Sequence, residues 1–103
     1  MDGYRIVFST LRSREYDGKY LYEWLMEKAK LIDIEGVTVI NASEGYGRDK
    51  NIHSANFFEL AGQPIEIIML TSEDKCEKLF DLISKAGISI LYSKTKTEFG
   101  FTK

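Results

Sequence analysis

A strand–helix–strand unit, a long polar connection and a second strand–helix–strand unit fit within 103 residues. That order predicts an α+β domain with the ferredoxin-like βαββαβ arrangement, an antiparallel sheet with two helices on one face. Three observations carry the prediction. Four short runs are rich in β-branched and aromatic residues, two segments between them repeat apolar residues at helical spacing, and the longest polar stretch divides the chain into two similar halves. One domain over residues 1–103 follows from the length.

The elements come in this order. YRIVFST (residues 4–10) is bounded by Gly3 and by polar residues, and predicts the first strand. Residues 11–18 form a polar connection carrying Arg12, Arg14, Glu15 and Asp17, with Asp17 placed to cap a helix. Leu21, Leu25, Ala29 and Ile32 then recur at helical spacing beside Tyr22 and Trp24, so a helix runs on and ends before Gly36. VTVINA (37–42) predicts the second strand. Residues 44–51 are rich in Gly, Asp, Asn and Lys and read as a loop or a bent strand end. Residues 52–60 fit a short helical turn or an extended arm, and Gly62-Gln63-Pro64 punctuates them. IEIIML (65–70) is apolar nearly throughout, which predicts a central third strand. Thr71-Ser72 opens a second helix, whose Cys76, Leu79, Phe80 and Ile83 form one apolar stripe. Gly87 suits the left-handed position after it. ISILY (88–92) predicts the fourth strand, and the tail 93–103 alternates weakly around Phe99 and Phe101, enough for an added edge strand.

Two helices cover one face of a four-stranded sheet. Tyr4, Val7, Val39, Ile67 and Ile90 are too many apolar side chains for that cover, so a bare apolar face and oligomerisation are expected. Val39 or Ile67 is expected to face inward in the assembly.

Composition narrows the function. The net charge is -2, and residues 1–52 and 53–103 contribute equally to it. No basic arm or stripe is present to neutralise phosphates, which argues against a nucleic-acid partner. Glu98-Phe99-Gly100-Phe101 looks like part of an aromatic RNA-binding motif, but it lacks the preceding basic residue and glycine and falls after strand four. The lone Cys76 has no disulfide partner, no apolar run reaches the ~18 residues of a membrane span, and the first residues lack a signal-peptide pattern. A soluble, cytoplasmic protein is expected.

His53 is the one histidine. A metal site would need Glu44, Asp49 or Glu59 beside it, and none is assigned. Ser54 adjoins His53 without forming a nucleophile–base pair, and no Gly-x-Ser-x-Gly elbow exists, so no catalytic residue is assigned. A small acylphosphatase-type hydrolase remains the enzyme alternative, because Arg12 or Arg14 lies just after strand one, where that family holds phosphate. The glycine-rich surroundings of that loop are missing, and Asn41 lacks the family's neighbours. The richest segment is Glu44-Gly45-Tyr46-Gly47-Arg48-Asp49-Lys50-Asn51-Ile52-His53. Glycines flanking an aromatic permit positive φ and close backbone approach, and Arg48 and Lys50 would attract an anion.

Gly18-Lys19, Leu21-Tyr22-Glu23, Gly36-Val37-Thr38-Val39, Glu44-Gly45-Tyr46-Gly47 and Ile52-His53-Ser54 together resemble the PII-like family of uncharacterised proteins. This is domain of unknown function 190, related to nitrogen-regulatory PII and to CutA. The resemblance runs from about Tyr4 to Tyr92. It implies a ferredoxin-like protomer, a homotrimer with sheets packed inward, and a mobile T-loop between strands two and three. It further implies an adenine nucleotide or cyclic dinucleotide as effector, bound between subunits, with no required cofactor and no metal. Gly45, Gly47 and Arg48 correspond to the base and start of the T-loop, and His53 belongs to the same motif. Lys85-Ala86-Gly87-Ile88 departs from the Gly- and Lys-containing loop of PII proteins. The expected role is a non-catalytic sensor that signals through residues 44–62 to a protein partner, a membrane transporter among the options. A purely structural adaptor trimer is the remaining alternative.

Overall fold

The computed structural model describes residues 1–46, 53–54 and 62–103, with the backbone alone at 53–54. Strand β1 (Asp2–Leu11) leads into a small hairpin, β2 (Glu15–Tyr16) and β3 (Lys19–Tyr20), then helix α1 (Leu21–Leu31) and strand β4 (Gly36–Asn41). A second small ladder pairs β5 (Glu44–Gly45) with β6 (His53–Ser54). Strand β7 (Pro64–Ser72), helix α2 (Glu73–Lys85) and strand β8 (Leu91–Glu98) complete the second unit. The main sheet has the order β4-β7-β1-β8 and is antiparallel throughout. The α+β ferredoxin-like arrangement expected from the sequence is therefore the observed one, with the apolar third strand, β7, inside the sheet.

The register decides which side chains meet the helices. On β7 the odd residues Ile65, Ile67, Met69 and Thr71 are buried, and the even ones are half-exposed. Val39 pairs with Ile67, and Phe8 pairs with Ile67 from the other side, so these side chains share the helix-covered face. They join Ile6, Leu21, Trp24, Leu25, Ala29, Cys76, Leu79 and Ile83 in one core. The open face carries Val7, Ile68, Thr38, Ile40 and Leu70 instead. The expectation that Val39 or Ile67 faces inward in an assembly is thus corrected, whereas Val7 does lie on the open face. Directly paired residues share a face, and the parity of β7 puts Ile67 inside and Ile68 outside.

Three local expectations also change. Asp17 does not cap α1: Asp17 (φ 52) and Gly18 (φ 79) are the two central residues of the β2–β3 hairpin, where a two-residue turn of this hand needs positive φ at both. The fourth strand begins at Leu91, not Ile88. Ile88 donates its backbone N–H to Ile83 at 3.2 Å and Gly87 (φ 70) donates to Ser84 at 3.0 Å, a left-handed cap that closes α2. Ile88 and Ile90 pack against the core, and the strand is built from the polar LYSKTKTE that follows. α1 closes in the same way, with Asp33 (φ 64) in the glycine position and Ile34 donating to Ala29 at 2.9 Å.

Near that cap lies a polar cluster. The Thr71 hydroxyl donates to Glu35 Oε1 at 2.8 Å, and Lys75 Nζ reaches the Asp33 carbonyl at 2.7 Å and Glu35 Oε2 at 3.4 Å. Burial pushes the Glu35 carboxyl up. The Thr71 hydroxyl, a backbone N–H and the Lys75 ammonium outweigh it and hold the carboxyl below its usual range.

Candidate functional site

The other end of the sheet gathers the connections. β1 ends there, β4 ends there, β7 begins there, and the link from α2 to β8 arrives there. The two feet of the 43–62 connection are stapled together. Ala42 N–H donates to the Pro64 carbonyl at 2.9 Å. Gln63, 8% exposed, donates from Nε2 to the carbonyls of Ala42 at 2.7 Å and Pro64 at 2.8 Å. Pro64 opens β7, a position that tolerates its missing donor.

Arg12 joins this staple twice. Its backbone N–H donates to the Gln63 carbonyl at 2.9 Å, and its Nη2 donates to Asn41 Oδ1 at 2.6 Å. The guanidinium lies over the Tyr22 ring, 5.0 Å from the centroid. Arg14 turns elsewhere and donates from Nη2 to the Ser89 carbonyl at 2.6 Å, tying the hairpin to the link after α2. The hairpin is fixed on α1 by Tyr16 packing edge-on to Trp24 (5.3 Å) and by the Lys19–Glu27 ion pair at 2.8 Å. Both arginines thus hold neutral acceptors at the same end of the sheet.

Gly45 sits at this base, paired with His53 across β5 and β6. It has no positive φ, and a Cβ there would meet Pro64 at an ordinary 3.7 Å. The conformational freedom expected of Gly45 is therefore not used, and the residue is plain strand. Gly47 and Arg48 lie outside the described residues, as do Asp49, Lys50 and Glu59, and of His53 only the backbone pairing is described. Tyr46 is exposed beside the base.

The sequence reading missed Gln63, which looked like punctuation before a proline, and the Arg12–Asn41 contact. The two residues are 29 apart, and only the shared end of β1 and β4 joins them. Cys76 is buried on α2, where burial pushes its thiol up and away from reactivity. Among the described residues no three His, Cys, Asp or Glu side chains gather as a metal site, and no helix is long and apolar enough to cross a membrane.

The model of the DUF190 family, described as an uncharacterized ACR, matches residues 6–92. The UPF0166 protein of Aquifex aeolicus (strain VF5) is 32% identical over 92 residues, covering 81% of this chain and 88% of that protein. Among solved structures, a Thermus thermophilus protein described as PII-like and signaling superposes with a TM-score of 0.71 at 14% identity, over 94% of this chain and 88% of its own. CPII of Thiomonas intermedia K12, a nitrogen regulatory PII-like protein bound to ADP, AMP and bicarbonate, superposes with a TM-score of 0.72 at 12% identity, over 98% and 91%. At these identities the two structures share the fold with this chain.

Proposed function

The chain belongs to the DUF190 family, and on that footing we propose that it is a PII-like regulatory protein that binds a small anionic ligand, a nucleotide, and does not turn it over. The observation that carries this reading is the stapled base. Arg12 and Arg14, whose side chains donate to neutral acceptors among the described residues, stand at the end of the sheet where the 43–62 connection leaves and returns. CPII, which shares the fold, holds ADP and AMP. Gly45, Gly47, Arg48 and His53 contribute to the same ligand site. The protein is a cytoplasmic homotrimer in which the open sheet faces, with Val7, Ile68, Ile40 and Leu70, turn inward, and the ligand lies between subunits. Residues 44–62 pass the bound state to a protein partner.

A thermal-shift screen with adenine nucleotides and cyclic dinucleotides tests this, alongside light scattering. The expected result is an upward shift with one nucleotide class and a mass near three times 11.8 kDa. No shift with any of them sinks the ligand, and a monomer at micromolar concentration sinks the intersubunit site.

The acylphosphatase-type alternative has one observation in its favour, the Arg12–Asn41 contact at 2.6 Å, which joins the two residues that reading uses. Yet the Arg12 backbone N–H is already bonded to Gln63, so it is not free to cradle a phosphate. Release of phosphate from an acyl phosphate by the purified protein would favour the hydrolase over the sensor.

A further inference from the structure

We infer that Arg12 is the phosphate-recognising residue of this site and that the exposed ring of Tyr20, stacked on the Tyr22 ring that Arg12 lies over, receives the nucleobase; this deepens the nucleotide-binding reading above and rests on it. Arginine recognises phosphoryl oxygens best when its planar fork is already fixed, because less freedom is lost on binding. Arg12 is fixed twice, by the bond from Nη2 to Asn41 Oδ1 at 2.6 Å and by the Tyr22 ring at 5.0 Å. One of its five N–H donors meets Asn41, so the fork keeps others for a ligand.

Among the described residues its guanidinium forms no ion pair. The ion pairs among the described residues, Lys19–Glu27, Lys75–Glu35 and Lys85–Asp81, all belong to lysines. Arg12 faces a neutral amide instead, in a chain whose net charge is -2.

The third observation supplies the ligand class. Behind Tyr22 the ring of Tyr20 lies nearly parallel, 16° between planes and 6.0 Å between centroids, and Tyr20 is 44% exposed. A fixed guanidinium and an open aromatic ring joined through Tyr22 match a molecule with a phosphoryl group and a planar heterocycle. That is a nucleoside phosphate, with stacking supplying sequence-tolerant affinity for the base.

Calorimetry on the full chain with ADP, adenosine and inorganic pyrophosphate tests this, using Arg12→Gln, Arg12→Lys and Tyr20→Leu. ADP affinity is expected to fall about 10- to 100-fold in Arg12→Gln, the scale of a lost charge-assisted hydrogen bond. Pyrophosphate binding should fall with it, while adenosine binding follows Tyr20→Leu and ignores Arg12→Gln. Melting curves identify any variant that fails to fold. If Arg12→Gln does, Arg12→Lys decides, since it keeps the charge and loses the fork: a tenfold or larger loss supports the inference, and unchanged affinity overturns it. Wild-type protein that binds ADP with variants that match it overturns the inference and leaves the nucleotide reading standing. Wild-type protein that binds none of the three probes overturns the inference, and the nucleotide reading falls with it only if the thermal-shift screen is negative for every nucleotide class.

Discussion

Ile67 and Ile68 are neighbours on β7, yet substitutions at the two positions are expected to fail in different ways. Ile67 is 0% exposed and pairs with Val39 and Phe8 beneath the helices. Ile67→Ala removes three buried carbons and leaves a cavity, at a cost of about 2–5 kcal/mol. With roughly 4–8 °C of melting temperature per kcal/mol in a domain of this size, the loss is about 8–40 °C. Ile68 sits on the open face between Val7 and Thr38. In an isolated protomer Ile68→Asp meets water and changes stability by roughly half a kcal/mol. In a trimer closed on that face it buries an unpaired carboxylate in every copy, each costing several kcal/mol, and assembly fails. Circular dichroism and light scattering read the two effects separately. Ile68→Asp should keep the secondary structure and run near 11.8 kDa rather than three times that mass. A trimer that survives Ile68→Asp, or a melting temperature untouched by Ile67→Ala, refutes the assignment of faces.

Gln63→Ala removes both side-chain bonds of the staple and leaves the Ala42 carbonyl short of a partner, so a loss of about 1–3 kcal/mol in urea unfolding is expected. Asp33 holds the left-handed position at the end of α1 (φ 64); Asp33→Gly should raise stability by about 0.5–1 kcal/mol, and Asp33→Val should lower it, both read by thermal melts. The Glu35 carboxyl is held below its usual range in the folded state. Its contribution is therefore present above the unfolded carboxylate value and is lost as pH falls through the folded one. Melts across the acid range should show Thr71→Val, which removes the hydroxyl donor, flattening that acid loss relative to wild type.

Periodicity made the element order legible, because helices and buried strands impose their spacing on apolar residues wherever they pack. Leu21, Leu25 and Ala29, and Cys76, Leu79 and Ile83, all reach the core as their spacing predicts. The fourth strand was expected three residues early, and its extension into the tail only as an added edge strand, because β8 is an edge, exposed along nearly all its length. Its LYSKTKTE needs backbone partners on β1 rather than burial, and the apolar ISI before it serves the cap of α2 and the core. Asp17-Gly18 carries a hairpin signal in plain view, and the capping habit of aspartate obscured it. Face parity on β7 cannot be read from a strand that is apolar on both sides. At the site, Arg12 and Asn41 are joined by the sheet, not the sequence, and the use of Gln63 depends on burial that composition does not disclose.

The cluster of Thr71, Glu35, Lys75 and Asp33 lies at the far end of β7 from Gln63 and Pro64, a separation of roughly 25 Å along the strand. One end of the molecule is thus a fastening and the other a workbench. The register of the four strands and both helix caps are made by bonds that use none of residues 44–61. A library randomised over residues 44–62 on this frame is expected to keep the parent's secondary structure in most of its members, read by circular dichroism.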